Sequence, residues 1–144
     1  MIGLDLGATK LAGALFDPDG RILERDGALL EGRDGDEVGR LIVESLAVLR
    51  RMAAARGLDV EAIGVSVPGI AHHEGGTVWA PNIPGWDRYP LRDVLRGQTG
   101  DSCPVVVESD RAASILGEVS RGVARGCRHA IFLAVGTGIG AGIL

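Results

Sequence analysis

Hydrophobic positions fall into short runs divided by glycine turns, and their spacing changes along the chain. Ile2, Leu4 and Leu6 alternate with small or polar residues, which predicts a strand carrying an inward Asp5. The pattern breaks at Gly7-Ala8-Thr9-Lys10 and resumes as a second strand over 11–16. Asp17-Pro18-Asp19-Gly20 is a turn signature, and residues 21–30 read as a third strand with weak alternation. Three strands joined by tight turns form a meander. After the loop Gly32-Arg33-Asp34-Gly35, Asp34 and Glu37 fit a helix capping pair. Val38, Leu41, Ile42, Leu46, Leu49 and Met52/Ala53 then recur at helical spacing, and Gly57 closes the helix. Arg50, Arg51 and Arg56 lie near its C-terminal end, where they favour the dipole as part of a solvated face.

Residues 62–67 form a short β-branched run, expected as a buried parallel strand that Pro68-Gly69 ends abruptly. Residues 69–88 have no periodicity and are rich in glycine and proline. A long ordered loop at a strand's C-terminal end is more often functional than not. A short helix over 91–96 and a strand over 104–108 follow. Ala112, Ile115, Leu116 and Val119 give a helical face, so Asp110 stands at a strand-to-helix junction. Another apolar strand over 129–135 runs into Gly136-Thr137-Gly138-Ile139-Gly140-Ala141-Gly142.

Composition narrows the class. Hydrophobic content of 46% in 144 residues supports one folded α/β domain and excludes disorder. A net charge of −4 argues against nucleic acid or an anionic membrane as the main partner. No apolar run approaches membrane-spanning length and no secretory leader precedes the first strand, so a cytoplasmic protein is expected. Cys103 and Cys127 are isolated, which makes them free thiols, and the adjacent His72-His73 lacks a third metal ligand.

Candidate chemistry concentrates at the turns. Gly7, Ala8, Thr9 and Lys10 combine close backbone approach, a hydroxyl and a cation, as a phosphate tail requires; an ordinary hairpin turn is the alternative. Asp5, one step earlier, is placed to hold a hydrated Mg²⁺ beside those phosphates. Asn82 offers both a donor and an acceptor to a hydroxyl, and Trp79 and Trp86 are either core anchors or part of that loop's pocket. Asp110 reads as a helix N-cap or as a general base taking a hydroxyl proton while that oxygen attacks phosphorus, roles that do not exclude each other. Gly136, Gly138 and Ala141 meet a dinucleotide-type count, but no helix or acidic ribose partner follows. The segment Leu133-Ala134-Val135-Gly136-Thr137 superposes on Leu4-Asp5-Leu6-Gly7-Ala8, an internal duplication that predicts two facing half-domains with a nucleotide between their turns.

Five motifs in order resemble the ROK family of sugar kinases and sugar-responsive repressors: D-x-G-x-T-K at Asp5–Lys10, the Pro68-Gly69 turn, A-P-N-x-P-G-W at 80–86, the segment beginning Glu108-Ser109-Asp110, and the second glycine loop. The resemblance implies an actin-like ATPase (ribonuclease H-like) fold, with a mixed five-stranded sheet and helices in a half-domain over 1–108. Its sugar-site loop would span 68–90, and 109–144 would be a linking helix with the first strands of a second, incomplete half-domain. It implies ATP-dependent phosphorylation of a hexose, glucose first, with Asp110 as base and Asp5 as the Mg²⁺ partner through water. Gly7, Ala8, Thr9 and Lys10 with Gly136, Thr137, Gly138 and Gly140 would clamp phosphates. Gly69, Asn82, Gly85, Glu108, Ser109 and Asp110 would line the sugar pocket. Ser109 stands where the family has an asparagine, and Arg111 is a second departure, expected either to pair with Glu108 or to lie in solvent. Zinc would belong only to a C-terminal half, and the whole-length protein would be a homodimer binding neither nucleic acid nor membrane. A non-catalytic sugar sensor and an inactive fragment are the alternatives. If these 144 residues are the whole product, the strands over 131–144 would keep an unpaired edge and an uncovered face.

Overall fold

The computed structural model describes residues 1–100, 103–135 and 139–144. Its centre is a five-stranded sheet in the order β3-β2-β1-β4-β7. The meander supplies β1 (Ile2–Leu6), β2 (Lys10–Phe16) and β3 (Ile22–Leu29), paired antiparallel. After α1 (Gly35–Ala55), β4 (Ile63–Val67) returns parallel to β1, and after α2 (Leu91–Thr99), β7 (Val105–Ser109) adds parallel to β4. The sheet is therefore mixed, as expected.

One face of this sheet holds the core. Ile2, Leu4 and Leu6 point at α1 together with Leu11 and Leu15, and Ile42, Leu46 and Leu49 of α1 meet them, all fully or nearly fully buried. Each such side chain contributes roughly 1.5–3 kcal/mol by leaving water. Gly13 lets the helix come close, since a Cβ there would lie 2.8 Å from Leu49 Cδ1. Ser45, buried on the same helix face, donates to Asp26 Oδ2 at 2.5 Å, satisfying the polar pair inside the interface.

Several expectations are corrected. Asp5 is exposed, because the alternation that sends Leu4 and Leu6 to the core sends residue 5 to the opposite face. Asp34 does occupy the N-cap of α1, but its side chain makes no cap bond, and only its carbonyl accepts from Glu37 and Val38. Arg50 and Arg56 are not merely solvated: Arg50 donates to the Gln98 carbonyl at 2.6 Å, and Arg56 pairs with Glu24 of β3. The stretch 69–88 is not without regular structure, since β5 (Ile70–His72) and β6 (Thr77–Trp79) form an antiparallel hairpin beside β7.

The rest of that stretch is latched to α1. Trp86 Nε1 donates to the Gly35 carbonyl at 2.9 Å, and the Gly35 amide donates to the Pro84 carbonyl at 2.8 Å. Trp86 is buried and stacks on Tyr89 with ring centres 4.5 Å apart, whereas Trp79 is 39% exposed. Trp86 is thus a core anchor. The Tyr89 hydroxyl, pushed up from its usual pKa first by burial and then by the neighbouring Asp36 carboxylate, has a pH consequence. Folding favours the neutral phenol, so stability is fully present below about pH 10 and is lost as pH rises through the raised folded value. Melting temperature measured from pH 8 to 11 falls at the alkaline end in the parent protein, and Tyr89→Phe flattens that fall.

Past β7, α3 (Asp110–Arg121) leads to a separate hairpin of β8 (Ile131–Val135) and β9 (Ile139–Ile143). The helix packs on this hairpin through glycines. A Cβ at Gly140 would lie 2.6 Å from Arg111 Cδ, and one at Gly142 would collide with the Arg111 carbonyl. The outer face carries Ile131, Leu133, Val135, Ile139 and Ile143, each 63–80% exposed, the uncovered apolar face that was expected.

Candidate functional site

The parallel register places the candidate residues. Asp5 pairs with Ser66, and Ser66 pairs with Glu108, so these three form one row across β1, β4 and β7. With strands about 4.8 Å apart, Asp5 and Glu108 stand roughly 10 Å from each other. The strands end together. Gly7 follows β1, the Pro68-Gly69 turn follows β4, and Asp110 follows β7, all at the C-terminal end of the parallel strands. A cavity of about 550 Å³ lies along the sheet face that carries this row, with Asp5, Ser66 and Glu108, but not Gly7, Gly69 or Asp110, among its lining residues.

Each acid in the row has a partner. Ser66 Oγ donates to Asp5 Oδ1 at 2.5 Å. His73, from the hairpin loop, places Nε2 2.8 Å from Glu108 Oε1. Its backbone is held in turn, because Arg92 Nη1 donates to the His73 carbonyl at 2.8 Å. Neither His73 nor Ser66 was singled out for this purpose. For Ser66 the signal was available: Ile63, Val65 and Val67 face the core, so period two puts residue 66 beside Asp5.

At the β7–α3 junction, the N-cap is Ser109 and not Asp110: its Oγ accepts from the Ala112 amide at 3.3 Å. Asp110 is the first helical residue, about half exposed, and its Oδ1 accepts the Arg111 amide at 2.8 Å. Arg111 neither pairs with Glu108 nor lies loose in solvent. Its Nη2 donates to the Gly69 carbonyl at 3.1 Å, and its Nε is 3.6 Å from Asp110 Oδ1.

The first glycine turn is tight, with the Gly7 amide donating to the Lys10 carbonyl at 2.8 Å. The Gly7 amide is therefore used by the turn itself. Ala8, Thr9 and Lys10 are exposed, and Ala8 and Thr9 line a cavity of about 570 Å³ with Asn82. Asn82 thus shares a cavity with the glycine turn and not with Glu108. Gly85 adopts φ +83° against Gly35, a backbone role that glycine suits. Gly136, Thr137 and Gly138 lie outside the described residues; Gly140 faces Arg111. The hairpin of β8 and β9 also differs from the first one. Val135 pairs with Ile139, where the duplication would pair it with Gly140.

Among the described residues no three His, Cys, Asp or Glu side chains gather as a metal cage, and no helix is long and apolar enough to cross a membrane.

The profile of the ROK family matches residues 1–144. The glucokinase of Thermotoga maritima is 36% identical over 148 residues, covering 100% of this chain and 44% of that protein. The xylose repressor of Caldicellulosiruptor bescii is 32% identical and covers 100% of this chain and 36% of its own length. Among solved structures, a ROK family glucokinase from Streptomyces griseus in complex with glucose and AMPPNP superposes with a TM-score of 0.83 at 34% identity, over 100% of this chain and 44% of the other. The chain thus spans less than half the length of these relatives.

Proposed function

The chain belongs to the ROK family, and on that premise we propose that it serves ATP-dependent phosphorylation of a hexose, converting glucose to glucose 6-phosphate. The observation that carries this reading is the shared strand end: the Gly7 turn, the Gly69 turn and Asp110 open at one edge, above the row of Asp5, Ser66 and Glu108. Phosphoryl transfer asks the protein mainly for positioning and charge neutralisation; the shared strand end supports the first, and Lys10 with an ion held at Asp5 would supply the second.

In the proposed reaction Asp110 accepts the proton of a sugar hydroxyl as the hydroxyl oxygen attacks the terminal phosphorus of ATP, the bond from that phosphorus to the bridging oxygen breaks, and ADP leaves. Gly69, Glu108 and Ser109 contact the sugar, with Asn82 and Gly85 on the neighbouring loop. Gly7, Ala8, Thr9 and Lys10 hold phosphates from one side, and Gly136, Thr137, Gly138 and Gly140 from the other. Asp5 suits Mg²⁺ held through water: it is an exposed carboxylate with one oxygen oriented by Ser66, and such a site needs no all-protein cage. When bound, the ion would neutralise charge on the phosphates. Residues 109–144 are read as the beginning of a second half-domain, which would face the first across the nucleotide.

A second reading, sugar sensing without catalysis, is favoured by the similarity to the xylose repressor. Titration calorimetry and a phosphate-transfer assay on the intact protein separate the two. We expect glucose and a non-hydrolysable ATP analogue both to bind, and glucose 6-phosphate to form. Sugar binding with neither nucleotide binding nor transfer overturns the kinase in favour of the sensor.

A further inference from the structure

We propose that Arg111 is a positioning residue that fixes Asp110 and the Gly69 turn relative to each other, leaving Asp110 Oδ2 as the oxygen that receives the substrate proton. This rests on the kinase reading above. The argument begins with what Asp110 has left to give. Its Oδ1 is engaged twice by residue 111, through the backbone amide at 2.8 Å and the guanidinium Nε at 3.6 Å. Both contacts lie on the same oxygen, which leaves Oδ2 without a hydrogen bond among the described residues.

The guanidinium also reaches across the sheet. Nη2 donates to the Gly69 carbonyl, 42 residues earlier in the chain, at 3.1 Å. Gly69 sits at φ +109°, on the turn that ends β4, so its carbonyl direction is set by a backbone few residues adopt. A planar fork can serve the carboxylate and the carbonyl from different nitrogens at once. An ammonium on a flexible stem is a single point charge and can satisfy one of them well. The stem itself is pinned, because Gly140 of β9 leaves room for Arg111 Cδ where any other residue would place a Cβ 2.6 Å away. One side chain therefore joins three candidate elements: the turn after β4, the start of α3 and the strand after the second glycine loop.

The consequence is specific to the chemical step. A general base displaced by a fraction of an ångström loses near-attack geometry while substrate affinity is little changed. Arg111→Met keeps the stem against Gly140 and removes only the guanidinium; Arg111→Lys restores charge without the fork. In the intact protein we expect Arg111→Met to lower kcat by about 10- to 100-fold with KM for ATP unchanged. Arg111→Lys should recover only a small part of that loss, and added guanidinium ion should partly rescue Arg111→Met. Hydrogen exchange at the amides of residues 69–71 should quicken in Arg111→Met. That readout does not depend on turnover, so it stands even if the protein proves not to be a kinase. An Arg111→Met protein with parental kcat and parental exchange overturns the proposal, as does full recovery by lysine. The kinase reading itself falls on other evidence, the absence of transfer by the parent protein.

Discussion

Asp110→Asn will lower kcat by about 10²- to 10⁴-fold in the intact protein while its melting temperature stays close to that of the parent. The rate expectation follows from the atom that is lost. An amide cannot take a proton from an alcohol, and the neighbouring carboxylate in the row, Glu108, is engaged by His73 at 2.8 Å. The stability expectation follows from what Asn keeps. Its carbonyl oxygen still accepts the Arg111 amide, now bonded to Asp110 Oδ1 at 2.8 Å, and the cap of α3 belongs to Ser109. The pairing lost with Arg111 Nε spans 3.6 Å at a carboxylate about half exposed, and pairs of that kind are worth about 0–1 kcal/mol. Measured kcat and KM for sugar and ATP, beside a thermal melt, check both halves. A loss of less than about tenfold removes Asp110 from the role of base.

Much of this architecture could be read from the chain because it depends on local periodicity. Leu4 and Leu6, the heptad-like run from Val38 to Ala53, and the apolar alternation of β4 each bury one face, and burial of one face leaves an imprint on the sequence. Asp5 obeys the same rule: it stands between two core residues, so the strand turns it outward. The hairpin of β5 and β6 escaped notice because each strand has three residues, too short for alternation to register. What the chain could not announce was contact between distant segments. His73 meets Glu108, and Arg111 meets Gly69, through pairings fixed only when β4 and β7 lie side by side. The duplication of the glycine hairpins was legible as a pattern of residues. Its register was not, since pairing Val135 with Ile139 in place of Gly140 changes which side chains face α3.

Gly69→Ala is expected to be the most damaging single substitution in the turn region, at about 2–4 kcal/mol of stability, seen as a melting point lower by roughly 10 °C. Two independent effects add at this residue. A φ of +109° lies where a Cβ is disfavoured whatever surrounds it, and here a Cβ would also run into the backbone carbonyl of Trp79, with Ala80 Cα 3.1 Å away. A backbone carbonyl cannot swing aside as a side chain end can, so β4 or the β6 strand must shift instead. Either shift turns the Gly69 carbonyl from Arg111, and the restraint on Asp110 goes with it. Gly97 supplies the contrast. It lies in α2 with nothing among the described residues within 4 Å of where a Cβ would sit and no positive φ, so Gly97→Ala should gain about 0.5–1 kcal/mol from lower backbone entropy in the unfolded chain. Chemical denaturation of the two variants side by side tests the turn directly. If Gly69→Ala matches the parent within about 0.5 kcal/mol, the turn after β4 does not pass beneath Trp79, and the placement of both Arg111 and Asp110 must be redrawn.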